Sequence, residues 1–233
     1  MEKEIVTRQA EGQQGNGMPR RKFLAALGLS VSAAAAITAC SKDDNPGGGP
    51  PPGSIDLGRD DTGILNYAYA LEQLEAAFYG QVALTPYTGI TAAESQLLAD
   101  IRDHEVSHRE FFKKALGNKA IPGLEVNFTT IDFTNRASVL GVAKAFEDLG
   151  VSAYNGAGKL ITNVDYLLLA GKIVSVEARH AALIRDLISN GSFADNTVIN
   201  ANGLDVASSP ADVLTAAKPF LKSVLWGGNL PTS

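Results

Sequence analysis

Cysteine is almost missing from this chain. Cys40 stands alone among 233 residues, so no disulfide can form within the chain. Basic excess is missing too: 20 lysines and arginines face 25 aspartates and glutamates, for a net charge of −5. With no basic stripe to track phosphates, nucleic acid is excluded as an expected partner. Long apolar runs are also lacking, since the stretch from Ala25 to Ala39 covers only 15 residues, and a membrane-spanning helix needs ~20. Histidine is scarce. The three in the chain fall in two places, His104 with His108 and His180 by itself. What the chain does have is 45% hydrophobic residues at a mean hydropathy of +0.02, enough to bury a sizeable core in one domain of ordinary size.

Residues 1–39 read as an export signal outside the fold. Arg20-Arg21-Lys22 forms a basic start, an apolar small-residue run follows, and Ile37-Thr38-Ala39-Cys40 ends it. The arginine pair with Phe23-Leu24 resembles a twin-arginine signal, which a receptor reads on folded proteins. The four residues ending at Cys40 resemble a bacterial lipobox, implying cleavage before Cys40 and lipidation of its thiol. Residues 40–60 then hold the Gly/Pro-rich run Asn45–Gly53, which cannot build a core and reads as a spacer from a membrane surface. Lys42-Asp43-Asp44 resembles a surface-export signal of lipoproteins. The expected location is the cell envelope, lipid-anchored in the periplasm or outer membrane, with surface exposure as a variant.

Residues 61–190 carry four helical patterns, and the fold class is all-α. The first runs from about Gly63 to Leu84, with Leu65, Ala68, Glu72, Ala76 and Tyr79 on one face. The second opens on Thr91-Ala92-Ala93-Glu94, a capping-box pattern, and continues to Leu116 with Leu98, Ile101, Glu105, His108, Phe112 and Ala115 in register. Residues 117–134 lack that period and suggest an extended connector. The third helix spans about Asn135 to Leu160, with Leu140, Ala143, Glu147, Gly150, Tyr154 and Ala157 on one face. The fourth spans Val164 to Ser189, aligning Ala170, Ile173, Glu177, His180, Ile184 and Leu187, and Asn190-Gly191 stops it. Short links within each pair make two antiparallel hairpins, and the long link between the second and third helices permits a crossover. Residues 191–233 form a turn-rich extension that packs on the bundle, with one short helix from Pro210 to about Lys222.

Glutamates and histidines interrupt the apolar stripes in a repeated pattern. Glu105-Val-Ser-His108 and Glu177-Ala-Arg-His180 each set a carboxylate and an imidazole three residues apart, on neighbouring points of one helix face. Each motif has an upstream glutamate, Glu72 or Glu147, followed seven residues later by Tyr79 or Tyr154. The two hairpins therefore carry one polar pattern twice, which places two metals about a pseudo-twofold axis. Four buried carboxylates repel one another, and two divalent cations remove that penalty. Mixed carboxylate and imidazole ligands suit two iron ions, with manganese as the alternative. Glu75, one turn from Glu72, is the alternative to it as ligand, or else a supporting residue beside the centre. Tyr79 and Tyr154 read as core residues with satisfied hydroxyls, and His104 as an exposed or supporting residue. Asp148 and Arg179 read as solvated charges off the ligand face.

The chain resembles the ferritin-like superfamily over residues 61–190, and within it the secreted ferritin-like domain proteins of the desiccation-associated type. Glu72 and Tyr79 match the first helix of bacterioferritin-like proteins, and the two Glu-x-x-His motifs match the second and fourth. The resemblance implies a four-helix bundle with one long crossover, Glu105 and Glu177 as bridging ligands, Glu72 and Glu147 as terminal carboxylates, and His108 and His180 as terminal imidazoles. Bacterioferritins often carry aspartate just before each Glu-x-x-His to orient a ligand histidine; here His104 and Val176 stand there. Two functions follow as expectations. One is an envelope oxidase or peroxidase whose partners are metal ions and a small-molecule oxidant. The other is a non-enzymatic stress or desiccation scaffold with a structural metal or none. A lipid anchor does not suit a closed storage cage, though other oligomers fit.

Overall fold

The structure, a computed structural model, describes residues 49–232, so the export signal and Cys40 lie outside the described residues. Four long helices dominate it: α1 (Asp60–Leu84), α2 (Ala92–Leu116), α3 (Arg136–Gly158) and α4 (Val164–Ile188). A short helix α5 (Pro210–Ala217) follows, and two-residue strands β1 (Ile55–Asp56) and β2 (Leu225–Trp226) pair in parallel. The molecule is all-α in class, as expected. α1 packs chiefly on α2 and α3 chiefly on α4, the two hairpins read from the short links.

Local chemistry sets the helix ends. Thr91 caps α2 by accepting from the Glu94 backbone N–H at 3.1 Å. Glu94 does not complete the expected capping box. Its carboxylate instead accepts from Arg136 Nε and Nη2 at 2.9 and 2.6 Å, tying the starts of α2 and α3 together. Asn135 and Asn163 cap α3 and α4. Gly191 takes φ 85° just past α4, the left-handed stop expected there. The tail helix is shorter than its sequence pattern, because Pro219 turns the chain into a 3₁₀ turn, Lys218–Phe220.

Burial of α1 is nearly complete, since every residue from Gly63 to Ala76 is inside. A helix covered on all sides must be apolar around its circumference or have its polar groups bonded. Asn66 donates to the Leu57 and Lys119 carbonyls at 3.1 and 3.0 Å and accepts from Ile121 N–H at 3.0 Å. Gln73 accepts from Leu124 N–H at 2.9 Å. These amides strap the crossover along α1. The crossover is irregular instead of extended, with a single bridge residue, Val126, paired to Leu221. Its Phe128 and Phe133 join Phe78, Phe146 and the tail's Phe220 in an edge-packed aromatic cluster.

The tail lies directly on α3. Ser208 N–H donates to the Ser152 carbonyl at 2.9 Å, and a Cβ on Gly156 would fall 1.7 Å from the Ser208 oxygen. Only glycine permits that crossing. Two further details depart from the sequence pattern. Leu116, not Ala115, closes the buried face of α2. Asp148 is also no free solvated charge: both its oxygens accept from Arg185 at 2.7 Å, and Arg185 is buried.

Candidate metal centre

All six residues named for ligation meet at one level of the bundle. α1 supplies Glu72, α2 Glu105 and His108, α3 Glu147, and α4 Glu177 and His180. The four glutamates are 0% exposed and His180 is 4% exposed, while the His108 side chain keeps 14% of its surface open. Their ligand atoms form two groups, each with all atoms within 4.8 Å of one another: Glu72, Glu105, His108 and Glu177, then Glu105, Glu147, Glu177 and His180.

The two carboxylates common to both groups divide their oxygens between them. Glu105 sets Oε1 at 2.8 Å from His180 Nδ1 and Oε2 at 3.6 Å from His108 Nδ1. Glu177 does the converse, with Oε1 at 2.9 Å from His108 and Oε2 at 3.9 Å from His180. The outer carboxylates each serve one group: Glu72 Oε2 lies 3.4 Å from His108 Nδ1, and Glu147 Oε2 lies 3.5 Å from His180 Nδ1. Their other oxygens are held by tyrosines of the opposite hairpin. Tyr154 of α3 donates to Glu72 Oε1 of α1, and Tyr79 of α1 donates to Glu147 Oε1 of α3 at 2.5 Å. The repeat read from the sequence is thus a crossed pair of contacts in space.

Eight buried atoms in this cluster, Glu72 Oε2, both oxygens of Glu105 and Glu177, Glu147 Oε2, and Nδ1 of both imidazoles, make no directed hydrogen bond. They sit near one another, yet aim at shared points between them. Buried polar atoms are rarely left so. A donor set of four carboxylates and two imidazoles around two such points fits a pair of divalent cations.

Without cations the cluster must balance its charge with protons. Burial opposes charge on His108, but Glu105, Glu177 and Glu72 outweigh it and push its pKa up to about 12. The same competition, with Glu105 and Glu147 as partners, carries His180 up to about 10. Desolvation lifts Glu72 to about 7 despite His108 beside it, and burial with its acidic neighbours drives Glu177 well above the usual carboxylate range. Burial would raise Glu105 too, yet the two imidazoles hold it down at about 2. Metal must therefore displace protons as it binds.

A family model for the ferritin-like domain matches residues 60–190. The chain belongs to the ferritin-like domain family. No curated protein matches it. Within this ferritin-like domain, the groups behind the two histidines differ. His104 lies at the surface, its ring stacked on His180 with centroids 5.1 Å apart and planes 11° apart. His104 Nδ1 stands 2.9 Å from His180 Nε2. A His180 that turns a bare Nδ1 to the centre carries its proton on Nε2 and donates it to His104. His104 therefore occupies the supporting place that the sequence left open between exposure and support, and it does so across helices. Val176 stands at the equivalent position of the other motif, and no described group hydrogen-bonds His108 Nε2.

Glu75 is buried one turn from Glu72 but belongs to neither group of converging atoms. Sequence reasoning passed over Gly150 as one more small core residue. A Cβ there would sit 3.0 Å from Glu75 Oε1. The signal was present in the hairpin repeat, which sets Gly150 and Glu75 at the same distance from their outer glutamates.

Proposed function

We propose that this protein is an envelope-anchored oxidoreductase with a dinuclear iron or manganese centre, acting on ferrous iron, dioxygen or peroxide. The observation that carries this reading is the set of eight buried atoms that make no directed hydrogen bond and gather into two groups from four helices. Glu105 and Glu177 would bridge the two ions. Glu72 with His108, and Glu147 with His180, would complete the two halves. When bound, the pair of ions supplies a two-electron redox couple, the capacity that reduction of dioxygen or peroxide requires. The protein's part is to hold the ligands in place and keep bulk water out. Tyr79 and Tyr154 anchor the outer carboxylates, and His108 faces the only partly open side of the ligand set.

An apolar cavity of about 20 Å³ beside Tyr154, lined by Ile64, Leu65, Ala68, Leu71 and Phe112, supports a small oxidant. It has room for one diatomic molecule or water, and its lining favours the former. Export through the twin-arginine-type signal and anchoring through Cys40 belong to the same proposal, resting on residues 20–40 of the sequence. Folded export would let the centre be loaded before transport, and an anchored chain with a spacer does not suit a closed storage shell.

A second reading, a non-enzymatic stress or desiccation scaffold, draws on one observation. His108 with Glu177 at 2.9 Å and His180 with Glu105 at 2.8 Å can pair as imidazolium and carboxylate, so a metal-free bundle has a route to charge balance. The deciding experiment is metal analysis of the purified protein, followed by turnover of ferrous iron or hydrogen peroxide. Two ions per chain, with turnover abolished in Glu105→Ala and His180→Ala, is the expected result. A protein that takes up no iron or manganese on reconstitution would leave the scaffold.

A further inference from the structure

One buried acid has no task in the centre as described. Glu75 is 3% exposed and makes no hydrogen bond with any described group. A carboxyl buried without a partner is unfavourable in either protonation state. Burial lifts its pKa well above the usual carboxylate range, and Glu177, Glu105, Glu147 and Glu72 push it the same way.

Its position is prepared by a residue from another helix. A Cβ on Gly150 would stand 3.0 Å from Glu75 Oε1 and 3.6 Å from Glu177 Oε2. The Glu75 carboxyl thus lies against the space a side chain at 150 would take, beside the Glu177 oxygen that faces His180. The hairpin repeat makes the pairing specific. Glu72 and Glu147 correspond, and three residues after each stand Glu75 and Gly150. One copy of the repeat adds a carboxylate where the other removes its side chain altogether. Glycine is disfavoured in the middle of a helix, so its place midway along α3 calls for a reason, and the room it leaves for Glu75 is one.

We propose that Glu75 is a seventh protein ligand of the dinuclear centre, a carboxylate that joins the His180 half when the ions are bound. This rests on the reading that the centre holds metal. Glu75 stands just outside both groups of converging atoms, so joining takes a change of its side-chain rotamer within the space that Gly150 leaves. The result is an unsymmetrical pair, with more carboxylate on the His180 side than on the other.

Cobalt(II) is a suitable probe, because its visible absorption weakens as ligands are added and so reports coordination number. The wild-type chain, Glu75→Gln and Gly150→Ala are titrated with cobalt(II) without oxygen, and the metal-free forms are compared by circular dichroism and thermal unfolding. Glutamine is nearly isosteric with the acid and cannot ionise inside an acidic cluster, so a folded variant is expected. The wild type should bind two ions. Glu75→Gln should bind one of them at least tenfold more weakly, with a stronger visible band from that ion alone. Gly150→Ala, which presses on Glu75 Oε1, should shift the same ion in the same direction. Two ions bound by Glu75→Gln with unchanged affinity and spectrum would overturn the proposal and leave the dinuclear reading standing, as would an equal weakening of both ions. A wild-type chain that binds no cobalt, iron or manganese would remove the centre itself.

Discussion

His180 is enclosed: its side chain is 5% exposed, its ring stacked on His104, and its outward nitrogen meets another ring nitrogen at 2.9 Å. His108 carries the same duty in the other hairpin with 14% of its side chain open and, among the described residues, no hydrogen-bonding group behind it. The six converging ligand-type residues are matched between the two halves, and the shared glutamates serve both. Among the histidines, what differs is the support. A repeat that copies the groups pointing inward need not copy those standing behind them, and support decides how firmly a metal ligand is held. The His180 half should therefore keep its ion tightly, while the His108 half exchanges ion and small molecules with solvent.

The broadest way to break this comparison is to remove a shared ligand. Glu105→Ala should lose both ions together, and elemental analysis showing one retained ion would contradict the bridging role. Next in size is His104→Ala, expected to weaken only the His180 half by about 10–100-fold; calorimetric titration with manganese would resolve the two sites, and His104→Asn should recover part of the loss. Tyr154→Phe and Tyr79→Phe separate the halves more gently. Each frees one outer carboxylate, Glu72 in the first and Glu147 in the second, and each should cost about 1.5–3 kcal/mol, the range for a hydrogen bond to a charged group, in the half it serves.

Acidity offers a further contrast, between metal-free and loaded protein. Glu72, at about 7 against an ordinary 4.5, and His180, at about 10 against 6.5, bind protons more tightly in the folded chain than in the unfolded one. Their stabilisation is complete below the unfolded values and disappears as pH rises through the folded ones. Glu105 has the opposite sign: its stabilisation is complete above pH 4.5 and is lost only as pH falls toward about 2, so it adds no slope at higher pH. The melting temperature of the metal-free protein should fall between about pH 5 and pH 10, while that of the loaded protein stays nearly level. An equally flat profile for both would show that the cluster does not carry the charge described.

The four helices and the convergence of the six ligand-type residues were legible because a helical period sorts residues onto faces, and charged residues on an apolar face demand a partner. Features that depend on register between distant helices were not legible. Nothing in the run around His104 says that it will meet His180, 76 residues away, because that contact requires α2 and α4 to be set side by side. The same holds for Asp148 with Arg185, for Glu94 turning from its own cap to Arg136, and for β1 pairing with a strand some 170 residues later. Gly150 was a different case. Its signal lay in the repeat, but a missing side chain becomes meaningful only once the group that uses the space is known.

The crossed tyrosines imply something about assembly. Neither hairpin can finish its own outer carboxylate: Glu72 waits for Tyr154, and Glu147 waits for Tyr79. The two bonds close together only when the halves dock at the right height, so a slip by one turn would leave two buried acids without their hydroxyls. The pair works as a gauge of alignment. A chain cut within the crossover should regain the centre only when both fragments are present, each verifying the other.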